Sequence, residues 1–333
     1  MDVKQTPDAR HSPVIDFHVH FLDEQILELA QRHSVLTGFG ANPLHKPPSG
    51  WPPIFAKMMS APAQIEDMAA RGVDRHVITA STVISPLGWA AGSRALDLNR
   101  RLNDLIAEWV ARFPDRFVGS FTLPLQTIDL AMAELERAVR QLGLRVANLP
   151  ANVGGAYLGE PQFHPLWSSI RELGVTAFVH PDGVKDAWFQ KYAMWNSIGQ
   201  SIEETRFMTS MIYEGVLDRF PGLKIVVAHG GGYMPHYMGR LDRNVTDKPE
   251  TAVNIGRRPS AYLRDFYYDS CVYDPTTLAA LIQRVGADRI VLGSDYPVGD
   301  PVPVELLGLA GELPAGDRAM IMGGTAARLL GAG

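Results

Sequence analysis

Apolar residues of this chain gather in eight short runs that are rich in β-branched and aromatic residues. The first four runs lie at 14–20, 73–79, 116–123 and 144–150, and the last four lie at 175–181, 224–230, 266–272 and 289–295. Runs of this length and composition, bounded by turn residues, predict β-strands.

Between the runs lie stretches whose apolar residues recur at steps of three and four, most clearly at 93–113, 130–143 and 275–286. Each stretch can present one apolar face to a sheet, which predicts amphipathic helices. Strands that alternate with helices are typical of a parallel sheet, and eight such units favour a closed barrel. We expect an α/β protein, a (β/α)8 TIM barrel that takes up residues 1–333 as a single domain.

Two segments depart from this alternation. Residues 36–62 are rich in Gly and Pro and follow the first strand, so we expect an irregular loop over the active-site face, with a plain surface insertion as the alternative. Residues 182–201 form a second long connection with Trp188 and Trp195. These aromatic side chains could line a pocket or pack the loop onto the barrel.

Composition narrows the classes of function. Hydrophobic residues make up 46% and charged residues 20%, as in a globular enzyme, and the net charge of -5 includes no basic block that would bind nucleic acid. The apolar runs are too short to span a membrane and the start has no apolar signal core, so we expect a cytoplasmic protein without membrane partners. Cys271, the only cysteine, lies in an apolar run, so any metal must be held by imidazole and carboxylate.

Metal-binding residue types occur at the carboxyl ends of the predicted strands, where barrel enzymes place catalysis. His18 and His20 alternate along the first strand and therefore project to one side. His180 ends the fifth strand, His229 the sixth and Asp295 the eighth. A single buried histidine is usually structural, but together these residues indicate a metal site.

The sequence favours one metal ion over two. No lysine occurs between Lys57 and Lys185, so the fourth strand cannot supply a lysine carbamate to bridge two ions. Three imidazoles and one carboxylate suit a single Zn²⁺, with Mn²⁺ as the alternative.

Four segments carry a resemblance to a known family: IDFHVH at the start, QIEDMAARGVD at 64–74, SIEETRFMTSMIYEGVLDRFPGLKIVVAHGGG at 201–232 and SDYP at 294–297. Over nearly the whole chain the sequence resembles the amidohydrolase superfamily, and within it the aminocarboxymuconate-semialdehyde decarboxylase group. The resemblance implies that His18, His20, His180 and Asp295 bind Zn²⁺ and that His229 stays off the metal as an acid/base.

The resemblance also implies how a small carboxylate substrate is bound. Arg240 would contact the substrate carboxylate from the neighbouring subunit of a homodimer, or of a homotetramer, and Trp195 would line the pocket. The family has a second arginine in the loop after the first strand, whereas this chain has Pro52 near that place. Lys46 or Lys57 could replace it as a point charge. From spacing alone, His236 and Arg240 would share one helical face.

These features predict a metal-dependent, non-oxidative decarboxylase of an aromatic or ring-cleaved unsaturated carboxylic acid, in which His229 and Asp295 move protons. A hydrolase or hydratase acting on a C–C bond, lactone or enol acid could use the same site and is the alternative. A third hypothesis is a non-catalytic metal- or ligand-binding protein on the same barrel scaffold.

Overall fold

Eight parallel strands form the centre of the fold in the computed structural model, which describes residues 12–33, 50–299 and 303–331, without the side chains of 31 and 33. We number the barrel strands in chain order. They are β1 (Ile15–Phe21), β2 (Arg75–Ala80), β3 (Phe117–Phe121), β4 (Val146–Leu149), β5 (Thr176–Val179), β6 (Lys224–Val227), β7 (Tyr267–Asp269) and β8 (Ile290–Val291). A small antiparallel hairpin, Asn152–Val153 with Ala156–Tyr157, follows β4.

The strands pair in sequence order, and the segment after β8 returns to β1 through a parallel bridge between Val19 and Tyr296. The backbone N–H of Phe17 donates to the carbonyl of Leu292 at 2.8 Å, and that of His20 donates to the carbonyl of Tyr296 at 2.9 Å. These bonds join β1 to the segment after β8 and close the barrel.

Helices surround the strands, as the alternating sequence pattern predicts. They are α1 (Glu24–His33), α2 (Pro53–Met58), α3 (Ala61–Arg71), α4 (Gly92–Arg112), α5 (Ile128–Arg140), α6 (His164–Glu172), α7 (Ile198–Tyr213), α8 (Val216–Arg219), α9 (Met238–Asp247), α10 (Pro275–Val285), α11 (Pro303–Leu309), α12 (Ala315–Ala319) and α13 (Thr325–Leu330). None of the helices in the described ranges is long and apolar enough to cross a membrane.

Apolar side chains fill the barrel and close its amino-terminal end. The rings of Phe17 and Phe178 meet inside the barrel with their centroids 6.0 Å apart. Ala326 and Leu329 of α13 pack on this inner cluster, and the hydroxyl of Thr176 donates to the carbonyl of Leu329 at 3.0 Å. A filled, plugged interior leaves the carboxyl ends of the strands as the open face.

All eight predicted strands are confirmed, although most end earlier than the apolar runs suggest. The predicted irregularity of residues 36–62 is wrong for the part that the structure describes, because Pro53–Met58 form α2 and Ala61 begins α3. Pro53 and Pro62 occupy the first turns of these helices, where proline is tolerated. Residues 34–49 lie outside the described ranges, so the role of this segment as an active-site cover stays a prediction.

Candidate active site

Three imidazoles and one carboxylate converge at the carboxyl ends of the strands. His18 and His20 project from β1, His180 directly follows β5, and Asp295 lies in the turn after β8. One potential ligand atom from each of the four residues lies within 4.8 Å of the others. The imidazoles are buried and Asp295 is partly exposed. Side chains of these types at these separations can hold one divalent ion.

Oxygen atoms behind two of the imidazoles determine which ring nitrogen faces the cluster. Nδ1 of His18 lies 2.7 Å from Oδ2 of Asp269, and Nδ1 of His180 lies 2.8 Å from the carbonyl oxygen of Pro181. Each Nδ1 donates to its oxygen, which leaves Nε2 as the nitrogen that can bind a metal. Both Nε2 atoms are buried and make no hydrogen bond within the described residues. Buried nitrogens of this kind fit a metal ion.

Asp295 supplies the negative charge at the centre of the cluster. Its Oδ1 lies 2.6 Å from Nε2 of His20 and 3.3 Å from Nε2 of His18. Burial alone would raise the pKa of Asp295, but the surrounding imidazoles hold it well below its ordinary value. Burial also opposes the charged form of His18, yet Asp295 and Asp269 together raise its pKa to about 9. A proton on His18 therefore competes with a metal ion for the same place.

His229 lies beside the cluster and has a carboxylate partner of its own. Its ring centroid is 5.1 Å from that of His180. Nδ1 of His229 lies 2.5 Å from Oε1 of the fully buried Glu204 on α7, and Nε2 lies 3.8 Å from Oδ2 of Asp295. Burial lowers the pKa of His229, but Glu204 and Asp295 together raise it well above its ordinary value. The imidazole is thus arranged to carry a proton on Nε2 toward the site.

Asp16 fixes the backbone on both sides of the cluster. Its fully buried carboxylate accepts hydrogen bonds from the backbone N–H of His18 at 3.2 Å and of Ser294 at 3.1 Å, and from the hydroxyl of Ser294. The register between β1 and β2 is irregular from Asp16 to Val19, so His18 lies in a bulge, a feature that redirects side chains. Asp16 therefore joins the strand of His18 to the turn that carries Asp295.

A cavity of about 1100 Å³ lies over the carboxyl ends of β2 to β5. It meets the cluster at His180, and the buried ring of Trp195 forms part of its wall. Trp188, in contrast, is 56% exposed and lies outside this wall. The loop after β5 thus contributes one aromatic wall residue, and the space is large enough for a small organic molecule.

Two cationic side chains occur in the described wall of the cavity, and both have an acidic partner. Lys185 forms an ion pair with Asp182, and Nη1 of Arg206 lies 3.0 Å from Oε1 of Glu203. Their charges are balanced within the wall itself.

The shared helical face predicted for His236 and Arg240 is wrong. Tyr237, with φ of -125° and ψ of 20°, separates the 3-10 turn Met234–His236 from α9. His236 and Arg240 are exposed and lie outside the described cavity wall.

Lys57, one of the two lysines proposed to replace the family's loop arginine, is not among the described residues of the cavity wall. Nζ of Lys57 lies 2.5 Å from Oδ2 of Asp67, with which it forms an ion pair. Lys46 lies outside the described residues.

Sequence reasoning assigned no role to three buried acids: Asp16, Asp269 and Glu204. Each has a recognisable signal. Asp16 lies in the fully buried strand β1, Asp269 follows two tyrosines at the end of β7, and Glu204 lies on the buried face of α7 with Phe207 and Met208. Buried acids need partners, so an acid on an apolar face indicates a nearby cation or histidine.

Comparison with known proteins places this chain in a family. The amidohydrolase family model matches residues 15–332. The 2-amino-3-carboxymuconate-6-semialdehyde decarboxylase of Dictyostelium discoideum is 34% identical over 274 residues, which cover 80% of this chain and 76% of that protein.

Two solved structures share the fold over nearly their full length. The 5-carboxyvanillate decarboxylase of Sphingomonas paucimobilis has a TM-score of 0.85 at 27% identity, covering 96% of this chain and 98% of that one. A dihydroxybenzoic acid decarboxylase from Polaromonas sp. JS666, solved with bound manganese and the inhibitor 2-nitroresorcinol, has a TM-score of 0.79 at 26% identity, covering 96% and 97%. With a family model that spans all eight strands and a relative at 34% identity, the chain belongs to the amidohydrolase family.

Proposed function

We propose that this protein is a metal-dependent, non-oxidative decarboxylase of an aromatic or ring-cleaved unsaturated carboxylic acid. The observation that carries the proposal is the position of the His229–Glu204 pair directly beside the four potential metal ligands. Loss of CO₂ requires an electron-withdrawing group near the carboxylate and a proton donor for the carbon left behind. The three similar proteins named above, all decarboxylases by name, support the assignment.

His18, His20, His180 and Asp295 would hold one divalent metal ion. When bound, the ion supplies a Lewis acid that polarises an oxygen of the substrate. We propose Zn²⁺, because imidazole and carboxylate are ligands that it prefers. Mn²⁺ is the second candidate because it is bound in the Polaromonas structure. Elemental analysis of the purified protein decides between the two.

His229 delivers the proton that replaces CO₂. The electron pair of the broken C–C bond stays on the substrate carbon, and the proton moves to that carbon from Nε2 of His229. Glu204 favours the protonated ring and fixes its orientation through Nδ1. The neutral ring then regains a proton from solvent by way of Asp295, whose Oδ2 lies 3.8 Å from Nε2 of His229.

The substrate occupies the cavity beside His180. Trp195 offers a flat apolar surface for an aromatic or conjugated acid. Lys185 and Arg206 are neutralised by their acidic partners, so a further cation for a substrate carboxylate must come from elsewhere. We assign that role to Arg240 of the partner subunit in a homodimer or homotetramer.

The surroundings of Arg240 support such a contact between subunits. Within the described residues its guanidinium has no hydrogen bond or ion pair and remains exposed. Tyr233 and Tyr237, just before it in the chain, are 47% and 68% exposed. Exposed aromatic residues next to an arginine are typical of protein interfaces.

Supplying candidate acids to the metal-loaded protein tests the proposal. We would offer 5-carboxyvanillate, a dihydroxybenzoic acid and 2-amino-3-carboxymuconate-6-semialdehyde without any redox cofactor, and follow CO₂ and the mass of the product. The expected result is CO₂ equimolar with product for at least one acid, and loss of the reaction in His229→Ala. Uptake of water without CO₂ would overturn the proposal in favour of a hydrolase or hydratase.

A further inference from the structure

Three successive strand ends of the barrel carry a non-glycine residue in left-handed backbone conformation. The φ angles are 47° at His229 after β6, 58° at Tyr273 after β7 and 57° at Asp295 after β8. This conformation is unfavourable for residues with a Cβ, and such residues cluster at functional sites. The proposed reaction gives roles to His229 and Asp295 but none to Tyr273.

The hydroxyl of Tyr273 reaches the carboxylate of Asp295. It donates a hydrogen bond to Oδ2 at 3.1 Å. The residue is 55% exposed, so burial of its ring does not account for its unusual backbone. Gly299 lies against this contact: a Cβ at its position would lie 2.2 Å from the carbonyl oxygen of Ser294, 2.5 Å from Cβ of Asp295 and 2.8 Å from the hydroxyl of Tyr273. Glycine is therefore required here by the backbone of Ser294 as well as by the two side chains.

The two oxygens of Asp295 consequently have different surroundings. Oδ1 faces Nε2 of His20 at 2.6 Å and Nε2 of His18 at 3.3 Å, on the side where a metal would bind. Oδ2 faces the hydroxyl of Tyr273 at 3.1 Å and Nε2 of His229 at 3.8 Å. Rotation of the carboxylate would bring Oδ2 toward the metal, and the bond from Tyr273 opposes that rotation.

We propose that Tyr273 is a positioning residue that holds Oδ2 of Asp295 away from the metal and leaves Oδ1 as the only carboxylate oxygen that contacts it. The inference rests on the proposed metal site and adds a residue to it. Tyr273 acts through Asp295, because its hydroxyl donates to the carboxylate oxygen that does not face His20. The consequence is functional, because a catalytic metal must keep one coordination position open for its substrate.

The test uses Co²⁺-loaded full-length protein, since the visible absorption of Co²⁺ reports how many ligands surround it. In Tyr273→Phe the hydroxyl is lost while the ring remains, and Oδ2 becomes free to approach the metal. We expect a weaker Co²⁺ absorption band, as for a higher number of ligands, and a fall in kcat/KM of about tenfold, the size typical for partners that orient metal ligands. Tyr192→Phe is the matched control, because Tyr192 is 86% exposed and also has a positive φ, of 57°.

A second variant separates the hydroxyl from the backbone conformation. Asparagine tolerates the left-handed region but is too short to reach Oδ2, so Tyr273→Asn should show the same spectral change as Tyr273→Phe. Spectra identical to wild type in both variants would overturn the role of Tyr273 while leaving the proposed function intact. Failure of the wild-type protein to bind Co²⁺, Zn²⁺ or Mn²⁺ would overturn both the metal site and this inference.

Discussion

Nδ1 of His18 lies 2.7 Å from Oδ2 of Asp269, and neither side chain has any exposed surface. The other carboxylate oxygen of Asp269 accepts hydrogen bonds from the backbone N–H of Gly230 at 3.0 Å and of Cys271 at 3.1 Å. Held at both oxygens, this carboxylate cannot turn away from the imidazole. The seventh strand therefore fixes the direction in which His18, a potential metal ligand on the first strand, presents Nε2.

Replacement of Asp269 by asparagine should weaken metal binding. The amide oxygen can still accept from the two backbone N–H groups, which leaves an NH₂ group facing Nδ1 of His18. That donor favours the tautomer with hydrogen on Nε2, where the metal would bind. We expect metal affinity to fall by about 10- to 100-fold, measured by chelator competition.

The control for this variant is Asp129→Asn, which removes the charge of an exposed acid in the first turn of α5. Its metal affinity should equal that of wild type. Equal affinity in Asp269→Asn would show that the pair with His18 does not orient a metal ligand.

Protons should compete with the metal in a defined direction. In the metal-free protein Asp295 and Asp269 raise the pKa of His18 to about 9, although burial opposes this, whereas burial lowers the pKa of His20 and His180. Below pH 9 metal binding must therefore expel one proton, from His18. We expect metal affinity to fall about tenfold for each unit of pH lowered between roughly 8.5 and 6.5, after correction for the chelator. An affinity independent of pH would contradict the assignment of His18 as a ligand.

The sequence could predict the barrel and the potential metal ligands because both depend on local patterns. Eight apolar runs separated by amphipathic stretches specify alternating strands and helices. Alternation along β1 places His18 and His20 on the same side, and the closed barrel brings His180 and Asp295 to them. The fold class alone is therefore enough to predict that these four side chains lie together.

Other features depend on packing that local patterns do not contain. Apolar periodicity extends the sixth strand to residue 230, but the strand ends at Val227 because His229 and Gly230 adopt positive φ angles. Glu204 is separated from His229 by 25 positions, and only the packing of α7 against the turn His229–Gly231 brings them together. The four-residue spacing of His236 and Arg240 did not give one helical face, because Tyr237 leaves the helical region of φ and ψ.

Glu204→Gln should shift the pH dependence of the reaction. Glutamine can still accept from Nδ1 of His229, so the ring keeps its orientation while the negative charge is lost. Glu204 is one cause of the raised pKa of His229, so the variant should lower that pKa. The protonated ring is the proton donor, so activity falls as the pH is raised past the pKa of His229. In the variant this fall should occur at a lower pH than in wild type.

The kcat of Glu204→Gln at neutral pH should fall by about 100-fold, at the lower end of the range for a positioned acid. The measurement is kcat against pH for both proteins at saturating substrate. A fall in kcat with an unchanged basic limb would mean that Glu204 orients His229 without affecting its protonation.

Arg240→Ala tests the assignment of a cation that crosses between subunits. The side chain is exposed and without a partner in the described protomer, so thermal stability should change by less than about 0.5 kcal/mol. Loss of a charge-assisted contact of about 1.5–3 kcal/mol should raise KM by about 10- to 100-fold. Arg243→Ala is the matched control on the same helix, because Arg243 is paired with Asp247 at 2.7 Å.

Mixing two impaired variants, assayed at a substrate concentration below the wild-type KM, decides which subunit supplies Arg240. In a hybrid dimer of Arg240→Ala and His229→Ala chains, one site would combine an intact His229 with Arg240 of the partner subunit. Random exchange gives hybrids in half of the dimers with one intact site of two, so activity should recover to about a quarter of wild type for a symmetric dimer. If Arg240 served the site of its own chain, one site of each hybrid would lack Arg240 and the other would lack His229, so activity would not recover. We therefore mix the doubly substituted Arg240→Ala, His229→Ala chain with wild type as well: its hybrids retain one intact site only if both residues act within one chain. Recovery in the first mixture, with loss of hybrid activity in the second, places Arg240 across the interface, and the reverse result would refute it.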